Sequence, residues 1–268
     1  MNDRFVVDDL ARPITLGAPA TRVVSLAPSC TESLAVLGLL DRLVGVEEHS
    51  ALPGLDAVPR VGGFKHVDVD AILRLEPELV LAAGMHAVGV VPRLVLRGVR
   101  VFVTHPRTLD DLVDGMARIA AIAGVSTTAA PYLASCRARI AAVVGRSLLA
   151  RHRPLVYVEL SPDGHTGGPQ SIVDDVVVKA GGINLGGVAR VEWPVLSADT
   201  VRRFDPDVIV IARYPGSATA ASLAEREGWD RLSAVKSDRV WEMDAGSIKR
   251  PGPGLLDGLE ILARQLAA

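Results

Sequence analysis

DVDAILRLEPELVLA (residues 68–82) contains an amphipathic helix pattern, a proline and an apolar strand pattern in immediate succession. SADTVRRFDPDVIVIA (residues 197–212) repeats that order in the second half of the chain. In each stretch a proline, Pro77 or Pro206, ends the helix, and the acid after it leads into the apolar run. We therefore predict two related halves, each containing the same helix and strand.

Short apolar runs rich in β-branched residues recur along the whole chain. They lie at residues 22–28, 43–49, 79–84, 99–105, 155–160, 207–212 and 239–244. Most are apolar at nearly every position, as expected of parallel strands covered by helices on both faces. Helix-like stretches separate them, and this alternation predicts right-handed βαβ units. The predicted fold class is α/β, with two Rossmann-like lobes of mainly parallel strands.

The segment STTAAPYLASCRARIAAVVGRSLLA (residues 126–150) is predicted to form one long helix. Its apolar residues at three- and four-residue spacing are predicted to form one buried stripe. They are Leu133, Cys136, Ile140, Val144 and Leu148. We predict that this single backbone helix joins the two lobes. The predicted parts are an N-terminal extension (1–21), an N-terminal α/β lobe (22–125), the connecting helix (126–151) and a C-terminal α/β lobe (152–268).

Composition argues against several classes of protein. With 49% hydrophobic residues, 22% charged residues and a formal net charge of -2, the chain has no broad basic field for nucleic acid. Cys30 and Cys136 lack CxxC spacing and are predicted to be buried thiols rather than a disulfide. No run approaches the roughly 18 apolar residues of a membrane span.

The first twenty residues show neither the apolar core of a signal peptide nor a following lipid-anchor cysteine. We expect a cytoplasmic protein if the chain is complete as written. We expect an extracytoplasmic protein if a leader precedes Met1.

The chain is predicted not to be an enzyme. The first predicted strand is followed by APSCTES rather than GxGxxG, and the sequence contains neither a GxSxG elbow nor a GxxxxGK[ST] phosphate loop. Ser29 and Cys30 at this strand end have no identifiable partner base. Ser29 and Thr31 are instead predicted to cap the helix that follows.

Five longer phrases resemble one family of binding proteins. Residues 22–46 and 59–82 resemble the first lobe of class III periplasmic binding proteins, the cobalamin-, ferric-siderophore- and heme-binding receptors of ABC importers. Three phrases resemble the second lobe, namely GGPQSIVDDVVVKAGGINL (167–185), VEWPVLSADTVRRFDPDVIVI (191–211) and RPGPGLLDGLEILA (250–263). The resemblance is greatest to the cobalamin receptors.

This resemblance implies a monomeric substrate-binding protein of an ABC importer, with no intrinsic cofactor. The implied ligand is a metal-containing chelate, namely cobalamin or another corrinoid, a ferric siderophore or heme, held in a cleft between the lobes. A permease would be the protein partner. The alternative is a corrinoid- or metal-ion-binding or sensing protein that is not exported and uses the same fold.

The resemblance also implies roles for four residues. Asp70 and Asp199 occupy matching helix starts, where cobalamin receptors carry the carboxylates that dock onto arginines of the permease. The alternative is that both are ordinary helix-start acids, which the helix dipole favours. Phe64 and Trp193 match aromatic positions of the receptor cleft and are predicted to stack against a flat macrocycle.

Histidines follow several predicted strands and so lie at the carboxyl ends of those strands. In open α/β sheets, ligands bind outside these carboxyl ends. His49, His86 and His165 are predicted to contact the ligand. Each is either a ligand to the metal of a chelate, a ligand to a bare transition-metal ion, or a loop histidine with an ordinary hydrogen bond. The metal itself is left unspecified by these residues.

Cationic and aromatic side chains at other chain positions are candidates for recognising the ligand's periphery. Arg213 and Tyr214 follow the apolar run at 207–212 and are predicted to bind carboxylates or amides of the ligand. Lys249 and Arg250, just before the PGPG turn, are further candidates for that role.

Overall fold

The computed structural model describes residues 5–63 and 66–267, which form two compact units. Unit 1 contains the described residues up to Pro106 together with Asp110–Ser135. Unit 2 contains Arg107–Leu109 and the described residues from Cys136 onward. The exact lobe boundaries proposed from the sequence stay predictions.

Unit 1 is built on a four-stranded parallel sheet with the order β4-β3-β5-β6. It is preceded by an antiparallel hairpin, β1–β2, that the sequence patterns do not predict. The strands are β1 (Phe5–Val7), β2 (Pro13–Thr15), β3 (Val23–Ser25), β4 (Leu43–Val46), β5 (Leu79–Ala83) and β6 (Val101–Thr104). The helices are α1 (Pro28–Val36), α2 (Val69–Arg74), α3 (Val90–Val95) and α4 (Leu109–Ile122), of which α4 begins at the last residue of a short segment of unit 2.

The predicted long helix is α5 (Ser126–Ser147), and the division between the units falls inside it, after Ser135. Cys136 and Ile140 on its predicted stripe are buried. Leu148, which the sequence pattern would place at the end of the same stripe, lies beyond the helix and is 77% exposed.

Unit 2 repeats the architecture, with a parallel sheet in the order β10-β9-β7-β8. Its strands are β7 (Leu155–Glu159), β8 (Ile183–Asn184), β9 (Val208–Arg213) and β10 (Val240–Asp244). Its helices are α6 (Ile172–Lys179), α7 (Ala198–Phe204), α8 (Ala220–Ala224), α9 (Ser233–Lys236), α10 (Ala245–Ile248) and α11 (Gly254–Ala267). Short 3-10 turns occur in both units. Those of unit 1 are Leu40–Arg42 and Gly84–His86, and those of unit 2 are Leu185–Val188 and Trp229–Arg231.

The fold prediction is confirmed: both units are α/β with parallel sheets, and all seven predicted strand runs contain a strand. The two-residue strand β8 was not predicted. It lies in the stretch GGINL, where glycines obscure any strand pattern. Of the helices in the described ranges, none combines the length and the apolar character that a membrane crossing requires.

The repeated phrases have the same local structure in both units. The Asp68 side chain accepts a hydrogen bond from the Ala71 amide at the start of α2, and the Ser197 side chain accepts one from the Thr200 amide at the start of α7. Both helices then end before the proline through a non-glycine residue with positive φ, +47° at Glu76 and +43° at Asp205. In both units the chain therefore passes from helix to strand in the same way, through a capped helix, a residue with positive φ and a proline.

The predicted capping of α1 by Ser29 and Thr31 is wrong. Ala27 is the N-cap and Pro28 is the first helical residue, because the fixed φ of proline suits the first turn and its missing N–H needs no partner there. The Thr31 hydroxyl instead donates to Ser25 Oγ at 2.8 Å, at the end of β3. The prediction for the cysteines is confirmed, since Cys30 and Cys136 are free and buried.

Candidate functional site

A pocket of about 650 Å³ lies beyond the carboxyl end of β7 in unit 2. This volume is within the range of small-molecule sites, and the carboxyl ends of parallel strands are where open α/β sheets bind their ligands. The residues that line the pocket are Leu160, Ser161, Pro162, Asp163, His165, Thr166, Trp193, Lys249 and Pro251. Two predicted ligand-binding residues, His165 and Trp193, are therefore brought together.

Backbone pairing between two loops positions Trp193. Residues 164–168 run against residues 192–196, with hydrogen bonds from the Thr166 amide to the Pro194 carbonyl (2.9 Å) and from the Gly168 amide to the Glu192 carbonyl (2.8 Å). The Trp193 side chain stays 43% exposed at the pocket rather than entering the core. An exposed indole held by a paired backbone offers a flat apolar surface for a ligand.

A carboxylate orients His165. Its Nδ1 lies 2.8 Å from Asp163 Oδ2, and the Ser161 hydroxyl donates to the other Asp163 oxygen at 2.6 Å. The hydrogen bonds from Ser161 and His165 lower the pKa of Asp163 to about 2, so its carboxylate is ionised at neutral pH. In the tautomer that donates Nδ1–H to Asp163, Nε2 keeps a lone pair for a metal or a donor group, as in carboxylate–histidine–metal arrangements.

Lys249 is held against Tyr214 at the same pocket. Its ammonium donates to the Leu160 carbonyl at 2.9 Å and lies 4.3 Å from the centre of the Tyr214 ring. Burial lowers the pKa of Lys249, and burial together with nearby negative charge raises the pKa of Tyr214. Tyr214 therefore lies beside the pocket, in contact with its lining residues Lys249 and Ser161. Arg213, the last residue of β9, was also predicted to bind the ligand. It forms an ion pair with Glu242 at 3.4 Å.

Unit 1 has a comparable carboxylate–histidine pair after β4. The Glu47 side chain is fully buried and accepts from the Ser50 hydroxyl (2.6 Å) and from the His49 amide (2.7 Å). His49 Nδ1 lies 3.2 Å from the same carboxylate, while the His49 side chain is 67% exposed. His49 is thus oriented by an acid two residues earlier, as His165 is by Asp163.

His86 occupies a different environment from His49. It is buried, and its Nδ1 accepts a hydrogen bond from the Ala83 amide at 3.1 Å, which stabilises the turn after β5. Its predicted contact with ligand stays a prediction. Phe64 lies outside the described residues, so the predicted aromatic partner of Trp193 has no structural account here.

Cys30, at the carboxyl end of β3, has the properties of a structural thiol. It is buried, and burial raises the pKa of Cys30 to about 11. Because the thiolate is the nucleophilic form, this side chain is a poor nucleophile at neutral pH.

The two acids implicated in docking lie in the first turns of matching helices. Asp70 is exposed on α2, and Asp199 is exposed on α7, where it forms an ion pair with Arg202. Each unit therefore presents one carboxylate at an equivalent helix start. Docking itself stays a prediction.

Comparison with known proteins identifies the family. A model of the family described as periplasmic binding protein matches residues 23–246. The chain belongs to the periplasmic binding protein family. This family consists of substrate-binding transport proteins, and the family resemblance inferred from the sequence is confirmed.

Individual periplasmic binding proteins match over nearly the whole chain. A cobalamin-binding protein of Halobacterium salinarum is 30% identical over 93% of this chain and 70% of its own. An uncharacterized ABC transporter substrate-binding lipoprotein of Bacillus subtilis, YvrC, is 26% identical over 97% of this chain and 84% of its own. The crystal structure of the periplasmic vitamin B12 binding protein BtuF of Vibrio cholerae has a TM-score of 0.75 and 27% identity, covering 93% of this chain and 97% of that one.

Sequence reasoning missed the residues that organise this periplasmic binding protein's pocket. Asp163 was not singled out, although an acid two residues before a histidine at a strand end is a visible signal. Thr166 carried no signal, since only the pairing of distant loops places it at the pocket. Across the described ranges 5–63 and 66–267, no group of three or more His, Cys, Asp or Glu side chains is placed to hold a metal ion.

Proposed function

We propose that this chain is the substrate-binding protein of an ABC importer and that it captures a metal chelate, with a corrinoid as the first candidate. The observation that carries the proposal is the unit 2 pocket, which places a flat indole and a carboxylate-oriented imidazole together at a strand end. The corrinoid assignment is supported by relatives that are named as cobalamin- or vitamin B12-binding proteins. The chelate is cargo rather than a cofactor, and the chain is a binding protein rather than an enzyme.

The two side chains suit different parts of such a ligand. A planar macrocycle offers an apolar face that the half-exposed Trp193 indole can cover. A chelate brings most of its metal ligands with it and leaves at most an axial position open. One imidazole nitrogen, such as His165 Nε2, is then sufficient to complete the coordination.

We expect the purified protein to bind one of three chelates, cobalamin, heme or a ferric hydroxamate siderophore, with saturable one-to-one stoichiometry. Trp193→Ala should weaken that binding about tenfold, because a stacking surface is lost. His165→Ala should remove any change in the absorbance spectrum of the chelate that results from ligation of its metal. Absorbance titration followed by calorimetry measures both effects.

Phe204→Ala is the matched control for Trp193→Ala. Phe204 is also an aromatic residue of unit 2 and is similarly exposed, 42% against 43%, but it lies on α7 and not in the pocket lining. Its removal should leave the affinity unchanged. Equal affinities of wild type and Trp193→Ala would count against the pocket as the binding site, and absence of binding to all three chelates would refute the proposed ligand class.

The proposed partner is an ABC permease, which is supported by the relative named as an ABC transporter substrate-binding lipoprotein. Asp70 on α2 and Asp199 on α7 are the proposed contacts with permease arginines, because each unit presents its acid at an equivalent helix start. Such a partner would place the working protein outside the cytoplasmic membrane.

Asp70→Arg and Asp199→Arg should each reduce ligand-stimulated ATP hydrolysis by the reconstituted transporter at least about tenfold, since like charges would then face each other. Affinity for the chelate in solution should not change. Asp56→Arg, an exposed acid of unit 1 outside any helix start, is the control. Full stimulation by both docking variants would contradict this role.

A further inference from the structure

We propose that Lys249 forms an anion subsite in the unit 2 pocket and binds a carboxylate or phosphate oxygen at the periphery of the captured chelate. This inference rests on the proposed function and narrows the substrate class to chelates that carry such a group. Lys249 is held at the pocket by its position immediately after α10, where its amide donates to the Ala245 carbonyl at 2.9 Å.

The bonding of the ammonium supports this assignment. Its one hydrogen bond within the described part of the chain goes to the Leu160 carbonyl, and its closest aromatic neighbour is the face of Tyr214. A lysine ammonium has three N–H donors, so two remain for a ligand. No carboxylate within the described residues forms an ion pair with it, although the side chain is only partly exposed to water.

The neighbouring acid does not neutralise Lys249. Asp163 lines the same pocket, but its two carboxylate oxygens accept hydrogen bonds from Ser161 and His165. Burial lowers the pKa of Lys249, and the nearby Asp163 charge opposes this effect only in part, because Asp163 forms no hydrogen bond with the ammonium. A ligand anion would supply the missing partner.

A second polar group at the pocket, the Thr166 hydroxyl, has unused hydrogen-bonding capacity within the described residues. The Thr166 side chain is fully buried, and within the described ranges its Oγ1 forms no hydrogen bond. A buried hydroxyl without a partner is costly unless a ligand or water completes it. Thr166 Oγ1 has almost no exposed surface, so a ligand could reach it only if residues 164–168 shifted. Lys249 is therefore the side chain that offers N–H donors directly to a ligand, in a pocket whose exposed lining is largely apolar.

The test uses two pairs of chelates that differ in an anionic group. Cobalamin carries a phosphodiester that cobinamide lacks, and heme carries two carboxylates that heme dimethyl ester lacks. Calorimetry and absorbance titration give the dissociation constant of each for the wild-type protein, for Lys249→Met and for Lys249→Arg. Lys236→Met, an exposed lysine of the same unit, is the matched control.

For the pair that the wild type binds, we expect Lys249→Met to weaken binding of the anionic member about ten- to hundredfold, the usual effect of losing a charge-assisted hydrogen bond. Binding of the member without the anion should be nearly unchanged, Lys249→Arg should retain most of the affinity, and Lys236→Met should match the wild type. If Lys249→Met abolishes a wild-type preference for cobalamin over cobinamide, the anion is a phosphate. If it abolishes a preference for heme over heme dimethyl ester, the anion is a carboxylate.

The opposite results are equally specific. Two results would refute the anion subsite while the proposed function stands, provided that the wild type binds a chelate. In the first, Lys249→Met binds both members of the pair with wild-type affinity. In the second, it loses affinity for both members equally. If the wild type binds none of the four compounds, the anion subsite is refuted. The proposed ligand class fails with it only if the ferric hydroxamate siderophore does not bind either.

Discussion

Arg226→Met should lower the free energy of unfolding by about 3–5 kcal/mol, the usual cost of removing one partner of a buried ion pair. Arg226 donates to both oxygens of Glu159, at 2.5 and 2.8 Å, and the Glu159 side chain is only 1% exposed. Its guanidinium also lies 4.8 Å from the centre of the Trp229 ring. Methionine keeps much of the side-chain volume but leaves the carboxylate buried without its cation. Urea denaturation monitored by circular dichroism measures the loss.

A double variant separates the buried charge from the lost packing. Glu159→Leu combined with Arg226→Met removes both charges, and it should recover most of the stability because no unpaired carboxylate remains. A double variant as unstable as Arg226→Met would show that packing on Trp229 dominates instead. Glu159 is the last residue of β7 and directly precedes the pocket residue Leu160, so the same ion pair also fixes the chain where it enters the pocket lining.

Gly168→Ala should weaken chelate binding about tenfold or more and destabilise the protein by about 1–3 kcal/mol. A Cβ at position 168 would lie 2.1 Å from the Val191 carbonyl oxygen and 2.9 Å from Pro194 Cδ. The segment that carries Trp193 must then move away, because a backbone oxygen cannot rotate aside as a flexible side chain can. Chelate titration and urea denaturation of the same preparation measure the two effects.

Gly187→Ala is the matched control, since a Cβ at that position meets no atom within 4 Å. Its affinity should equal that of the wild type. If Gly168→Ala also bound the chelate with unchanged affinity, the position of the Trp193 segment would not matter for binding. If Gly168→Ala lost affinity for the chelate but kept the wild-type free energy of unfolding, the substitution would act only by displacing the segment that carries Trp193.

Much of the fold could be predicted because its signals are local. The apolar run 155–160 contains β7, and the run 207–212 covers β9 except for its last residue. The repeated cap, helix and proline phrases contain α2 and α7. The hairpin β1–β2 was missed, since its three-residue strands are too short to show alternation. The capping of α1 was misassigned because Pro28 alone is sufficient to begin that helix.

The candidate site was predicted only in part. The rule that ligands bind at the carboxyl ends of parallel strands identified His165. The family resemblance identified Trp193. Both residues line the pocket. The same rule could not separate the exposed His49 from the buried His86, because burial depends on packing by residues far away in the sequence. Their roles, and that of Phe64, stay predictions.

The sequence by itself determined the α/β class, the two repeated halves, the long helix and the family, because periodicity, prolines and ordered phrases are properties of neighbouring residues. Only the tertiary structure decided which side chains share the unit 2 pocket. Pairing of residues 164–168 with 192–196 brings Thr166 beside Trp193, and the turn after α10 carries Lys249 onto Leu160. These contacts join segments far apart in the chain, and only the folded backbone brings their hydrogen-bonding groups within reach of one another.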